Sequence, residues 1–188
     1  EIHERLVGSE MCIRDRCRIF NEFRPFLSTA QNNRDHRKIL VIDGTTAFNG
    51  GVNLADEYIN EKERFGHWKD TAVMLKGEAV WSFTVMFIQM WEWKTKQLSD
   101  YEKYRPANIS QFNRISEGYV LPYGDSPTDN EPVGELVYLN IINKAQKYVY
   151  ITTPYLVIDN EMITALGFAV KSGVDVKIID PHSADKWY

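Results

Sequence analysis

Residues 35–53 read DHRKILVIDGTTAFNGGVN. The run Ile39–Ile42 is apolar, and Asp43-Gly44 closes it with the dipeptide favoured in a type I′ hairpin turn. Thr45–Phe48 then reads as the returning strand. Side chains alternate between faces along a strand, so His36, Lys38, Leu40 and Ile42 share one side, and Ile39, Val41 and Asp43 the other. A strand built only for packing gains nothing from an imidazole and an ammonium projecting together at its entry. Asp43 falls on the opposite face, immediately before the turn glycine, and reads as a brace for the hairpin.

After the returning strand comes Asn49-Gly50-Gly51-Val52-Asn53. Two glycines let backbone N–H groups approach an anion closely, and Asn53 adds an amide donor. An imidazole, a cation, bare backbone donors and an amide are what a phosphoryl centre requires. The cation and donors stabilise charge on the equatorial oxygens, while the imidazole attacks or shuttles protons. Taken singly, a His before a strand and a glycine pair are ordinary. The combination His36-x-Lys38-x4-Asp43-x6-Gly50-Gly51-x-Asn53 fixes six positions. With each residue type near about one in twenty, chance produces it on the order of once in 10⁸ starting points.

The rest of the chain sets the bounds. Its 188 residues suit one to two domains, and a hydrophobic fraction of 44% with 13% aromatics is globular composition. A formal net charge of −4 gives no overall basic footprint, so no nucleic-acid partner is expected. One local bias stands out. Arg18, Arg24, Arg34, Arg37 and Lys38 outnumber Glu22 and Asp35, which reads either as a patch that attracts anionic substrates or as a plain solvated face. Cys12 and Cys17 form neither a disulfide framework nor a metal-ligand spacing, and a reducing compartment follows as the default. The longest uncharged stretch, AVWSFTVMFIQMW (79–91), falls short of the roughly 20 residues a membrane span needs and reads as a buried helix.

DTAVMLKG (70–77) is the next predicted strand, and LADEYIN before it a helical turn or loop. In the helix that follows, Val80, Phe83, Phe87 and Met90 recur at helical spacing, with Trp81, Val85 and Ile88 on a second face. Residues 94–116 are polar and aperiodic and read as a connection. Beyond it, VGELVYLNIINKAQ (133–146) is an amphipathic helix on Leu136, Leu139 and Ile142 or Asn143. KYVYITTPYL is a strand stopped at Pro154, NEMITALGFAVKSG (160–173) a helix ended by Gly173, and VDVKIID (174–180) a strand. This alternation is α/β architecture. Residues 1–16 have no clean period and no caps; they resemble translated adapter sequence and are excluded as non-native. The domains are then 17–105 and 118–188, with 106–117 as linker.

The pattern resembles the HxKxxxxD–GGxN signature of the phospholipase D superfamily. The flanking text is closer still to bacterial cardiolipin synthases: FRPFLSTAQNNRDHRKILVIDG, GGVNLADEYINEKERFGHWKDTAVMLKG, DSPTDNEPVGE and ITTPYLVIDNEMITAL. The resemblance runs from about Cys17 to Tyr188. It implies a phospholipase D-like α/β fold, the first catalytic half followed by the beginning of the second. It also implies a phosphatidyltransferase that moves a phosphatidyl group between two phosphatidylglycerol molecules through a phosphohistidine, with no cofactor and no metal.

Carried onto matching positions, the resemblance makes His36 the nucleophile or its acid/base partner. Lys38 and Asn53 bind phosphate oxygens beside Gly50 and Gly51, and Asp43 completes the motif. Asp70, opening the strand after His67-Trp68-Lys69, orients the imidazole by accepting its second N–H. His67 and His182 match no catalytic position. Two such motifs pair in these enzymes, and the second is expected soon after PHSADKWY, either there or in a dimer partner. The implied setting is a bacterial cell membrane with anionic lipid as partner. Two rivals are a single-motif phosphodiesterase or nuclease acting as a homodimer, and a non-catalytic lipid-binding remnant.

Overall fold

The Asp43-Gly44 turn has the backbone its sequence predicts. Both residues have positive φ, 52° and 64°, as a type I′ turn demands, and the Thr45 N–H donates to the Ile42 carbonyl at 3.1 Å. The turn joins β1 (Ile39–Ile42) to β2 (Thr46–Gly50), with Val41 opposite Ala47 and Leu40 opposite Phe48. β3 (Ala72–Lys76) pairs antiparallel with the other edge of β2, giving the order β1-β2-β3. These details belong to a computed structural model that describes residues 16–20, 35–64, 66–107, 118–126 and 130–181. Most of the N-terminal stretch read as non-native lies outside the described residues, as do Cys12, His182 and residues 108–117 of the linker.

The alternation expected of β1 is present. Ile39 and Val41 are half-buried on the side that meets α1 (Val80–Thr95), while Leu40 and Ile42 are exposed on the other. Ala47, Val80 and Phe83 form the buried centre of this unit, with Ile39, Val41, Leu75 and Met86 packed around them. Burying each of the larger side chains contributes about 1.5–3 kcal/mol. Thr84 is buried as well, and its hydroxyl is satisfied by donating to the Val80 carbonyl at 3.2 Å.

The helix corrects two expectations. Its buried stripe is Val80, Phe83, Thr84 and Ile88, whereas Phe87, placed on the core face from its spacing, is 56% exposed. A helix lying on a sheet of three short strands buries one narrow stripe, leaving Phe87 and Trp93 exposed and Trp81 and Trp91 half-buried. The polar stretch after it is also not a free connection from residue 94. The helix continues to Thr95 and ends with Lys96 in the left-handed conformation. Tyr101 Oη then donates to Glu92 at 2.9 Å, and the Arg105 guanidinium lies 4.5 Å over the Trp81 ring. A Cβ on Gly44 would sit 2.9 Å from the Tyr104 carbonyl, so the turn glycine also admits this segment.

The chain divides into two compact units, residues 1–58 with 69–123 and residues 59–68 with 124–188. The second contains α2 (Val133–Lys144), β4 (Tyr148–Thr152), α3 (Asn160–Lys171) and β5 (Asp175–Ile179), with β4 and β5 parallel. Its core is Ile142, Val149, Ala165, Leu166, Ala169 and Val174. Ile142 rather than Asn143 carries the α2 stripe, and Leu136 is 49% exposed. Asp159 caps α3 by accepting from the Met162 N–H at 2.8 Å, and Gly173 follows its end with φ 90°. The mixed α/β architecture is the one expected.

Candidate active site

In an antiparallel sheet ordered β1-β2-β3, the start of β1, the end of β2 and the start of β3 lie at one end. His36 and Lys38 precede β1, Gly50 ends β2 with Gly51 and Asn53 just beyond, and Asp70 precedes β3. The topology therefore gathers six of the seven residues singled out from sequence. Asp43 is at the other end of β1, in the turn, about 16 Å along the strand from Lys38 at ~3.3 Å per residue. Its observed surroundings are those of a hairpin residue.

Lys38 is the hub of the cluster. Its Nζ donates to the His36 carbonyl at 2.7 Å and lies 3.2 Å from His36 Nδ1 and 3.3 Å from Nε2. Whichever ring nitrogen lacks a proton can accept from the ammonium. Partial burial lowers the Lys38 pKa, and the carboxylates of Asp35 and Asp70 act in the opposite direction. Asp70 acts on Lys38 through charge, and its Oδ1 accepts the Thr71 N–H at 2.8 Å. Asn53 is half-buried, and its carbonyl accepts from the Ala55 N–H at 3.1 Å.

The glycine pair is explained by close approach. A Cβ on Gly50 would lie 2.8 Å from Ala72 Cα, and one on Gly51 would collide with the Asp70 carboxylate. The Gly51 N–H donates to the Thr71 carbonyl at 3.2 Å, so this donor is engaged within the sheet. Bare glycines let β3 and its leading carboxylate close on the end of β2.

Two contributors went unassigned in the sequence reading. Asn49 Nδ2 donates to the Lys38 carbonyl at 3.2 Å, tying the entry of β1 to β2. An amide opposite Ile39, on the face that otherwise carries Val41, Ala47 and Leu75, was the available signal. Asp35 was counted only as a charge in the basic patch, yet it pairs with Arg37 Nε at 2.8 Å and acts on Lys38. His67 is exposed, in the loop before β3.

The chain is similar to known proteins. A family described as "Cardiolipin synthase, PLD-like domain" matches residues 138–188. A curated cardiolipin synthase of Alkalihalophilus pseudofirmus is 35% identical over 162 residues, 86% of this chain and 32% of the relative. A cardiolipin synthase of Geobacillus is 38% identical over the same shares. A protein of Streptococcus mutans with no assigned activity is 59% identical over 172 residues, 91% of this chain and 36% of its own length. The chain thus spans about a third of the length of the curated relatives it matches. No solved structure matches it.

Proposed function

We propose that this chain, which belongs to the cardiolipin synthase family of phospholipase D-like domains, carries one half of a phosphatidyltransferase site acting on phosphatidylglycerol. The observation that supports the reading most is the placement of the Lys38 ammonium against both ring nitrogens of His36, at the sheet end where Asp70 and the glycine pair converge.

In this reading a ring nitrogen of His36 attacks the phosphorus of one phosphatidylglycerol. A P–N bond forms, the P–O bond to the headgroup glycerol breaks, and the departing oxygen takes a proton from an acid on the other half-site. A hydroxyl of a second phosphatidylglycerol then attacks, the P–N bond breaks, and the hydroxyl proton returns to that group. The alternative assignment makes His36 the acid/base and its counterpart the nucleophile. Lys38 and Asn53 hold the phosphate oxygens as charge builds on them, and Asp70 orients the imidazole. Gly50 and Gly51 supply room for the phosphate and for Asp70. The second histidine motif comes from chain beyond these residues or from a partner copy.

The test is cardiolipin formation from phosphatidylglycerol by a longer protein carrying this chain, compared with its His36→Ala variant. The expected result is loss of product with the fold intact by circular dichroism. Undiminished turnover in the variant removes His36 from the chemistry. Cleavage of DNA by a homodimer of the chain, without lipid turnover, replaces the reading with a nuclease.

A further inference from the structure

The ladder between β1 and β2 ends at Ile39 opposite Asn49. Lys38 and His36, which carry the ammonium and the imidazole, stand one and three residues beyond it. Continued, the register would set Lys38 opposite Gly50 and Arg37 opposite Gly51. Those glycines serve β3: Gly50 pairs with Ala72, and the Gly51 N–H donates to the Thr71 carbonyl at 3.2 Å.

The link back to the entry of β1 is a side chain. Asn49 Nδ2 donates to the Lys38 carbonyl at 3.2 Å. From the root so fixed, Lys38 Nζ reaches the His36 carbonyl at 2.7 Å and the two ring nitrogens at 3.2 and 3.3 Å. One line of contacts thus runs from the central strand through Lys38 to the imidazole.

Packing offers no reason for an amide at position 49. Its cross-strand neighbours are Ile39 on one side and Val73 on the other, and Ala47 and Leu75 follow on the same face. Asparagine is depleted in strands, and a β-branched residue fits a pleated, half-buried place better. A local preference set aside next to a reactive group is the mark of a functional demand met at some cost in stability. The amide also brings a donor without a charge, so the electrostatic balance at Lys38 is left to burial, Asp35 and Asp70.

We infer that Asn49 is a positioning residue for the phosphate site: by holding the Lys38 main chain to β2, it keeps the ammonium beside the His36 imidazole. Its effect on turnover rests on the reading of His36 and Lys38 as phosphate-site residues, whereas the positioning itself can be read without substrate.

Asn49→Val and Asn49→Thr test it. Each supplies the β-branched side chain that the sheet prefers. Valine has no donor, and the threonine hydroxyl, carried on Cβ, is too short to take the place of the amide. Asn49→Gln keeps an amide donor. In the 188-residue chain, NMR should show a scalar coupling across the hydrogen bond from Asn49 Nδ2 to the Lys38 carbonyl carbon, and NOEs from the Lys38 ε-methylene to the His36 ring. In Asn49→Val and Asn49→Thr those NOEs should disappear while Tm stays at or above that of the parent. In a longer protein carrying the chain, kcat for cardiolipin formation should fall by about 10- to 100-fold with KM little changed. That is the pattern of a misplaced reacting group rather than of lost binding. Asn49→Gln should restore the NOEs and most of the turnover.

Unchanged NOEs and kcat in both β-branched variants would reduce Asn49 to an ordinary sheet residue and overturn the inference. So would a loss of activity that tracks a fall in Tm and that Asn49→Gln does not rescue, since that is loss of fold. If the NOEs vanish in Asn49→Val while His36→Ala keeps full turnover, the positioning role stands and the reading of the reaction is what fails.

Discussion

The Asp70 carboxylate occupies the space that a side chain on Gly51 would need. Gly51→Ala should therefore displace Asp70 rather than merely stiffen the backbone. Overpacking of this kind costs about 1–3 kcal/mol. The specific consequence is electrostatic, because Asp70 is one of the two carboxylates that raise the Lys38 pKa against the effect of burial. In Gly51→Ala the Lys38 amine should titrate lower than in the parent, measured on its nitrogen by NMR. An unchanged Lys38 titration would mean that Asp70 keeps its place. Gly50→Ala should cost more, since the neighbours of its added Cβ include the backbone of β3, which cannot turn aside.

Lys38 itself gives a prediction of sign. Its folded-state pKa lies below the unfolded value, chiefly through desolvation, with Asp35 and Asp70 opposing. Between those two values the unfolded chain binds more protons than the folded one, so this residue's contribution to stability rises with pH through that window. Below the window it is a standing cost. Lys38→Met should thus be at least as stable as the parent at neutral pH, and the parent should gain on it as pH approaches the ordinary lysine range of about 10.4. Melting temperatures of the two proteins across pH measure the difference. A parent that loses ground with rising pH would show that the carboxylates outweigh burial.

These residues also mark how far the sequence carries. The hairpin was legible because Asp43-Gly44 leaves its backbone few options, and the spacing from His36 to Asn53 singled out residues of which all but Asp43 lie at one end of the sheet. What the spacing could not reveal was which neighbours enforce it. Gly51 looks like a donor in the sequence, while its hydrogen bond to Thr71 and its contact with Asp70 depend on β3, some twenty residues later in the chain. Phe87 fits the helical period as well as Ile88 does. Only the width of the sheet beneath α1 decides that Ile88 is covered and Phe87 is left exposed. Local chemistry was readable, and tertiary cover was not.

The start of α2 is held from nine residues upstream. Asp125 Oδ2 accepts the Gly134 N–H at 2.9 Å, while its Oδ1 accepts from Ser126 at 3.0 Å. Pro132, at the conventional capping position, makes no side-chain cap, so Asp125 takes that role and complements the helix dipole. Asp125→Ala should cost about 0.5–2 kcal/mol in urea unfolding, and Asp125→Asn less. Gly134→Ala supplies the control. Helix propensity alone favours alanine by about 1 kcal/mol, but an added Cβ would lie 2.8 Å from Asp125 Oδ2. The expected result is no gain, and a clear stabilisation would show that Asp125 does not sit against the helix.

On the exposed face of the β4–β5 pair, Tyr150 Oη donates to Asp175 Oδ2 at 2.6 Å, and Lys177 Nζ reaches the same oxygen at 2.9 Å. The Asp175 pKa is lowered, first by the tyrosine hydrogen bond and then by the lysine, and that of Lys177 is raised, first by Asp175 and then by Tyr150. The signs follow by linkage. The contribution of Asp175 is present above its unfolded pKa and is lost as pH falls through the lower folded value. The contribution of Lys177 is present below its unfolded pKa and is lost as pH rises through the higher folded value. Both hold across neutral pH, and both are weakened by salt because the groups are fully exposed. Tyr150→Phe removes the largest cause on Asp175 while keeping the ring under Lys177, which lies 4.7 Å from its centroid. In that variant the Asp175 carboxyl carbon should titrate at higher pH, moving toward the usual value of about 3.9. The Lys177 shift should shrink without vanishing, because its ion pair with Asp175 remains. If Asp175 titrates identically in parent and variant, the tyrosine hydroxyl is not its donor, and the lysine alone accounts for the shift.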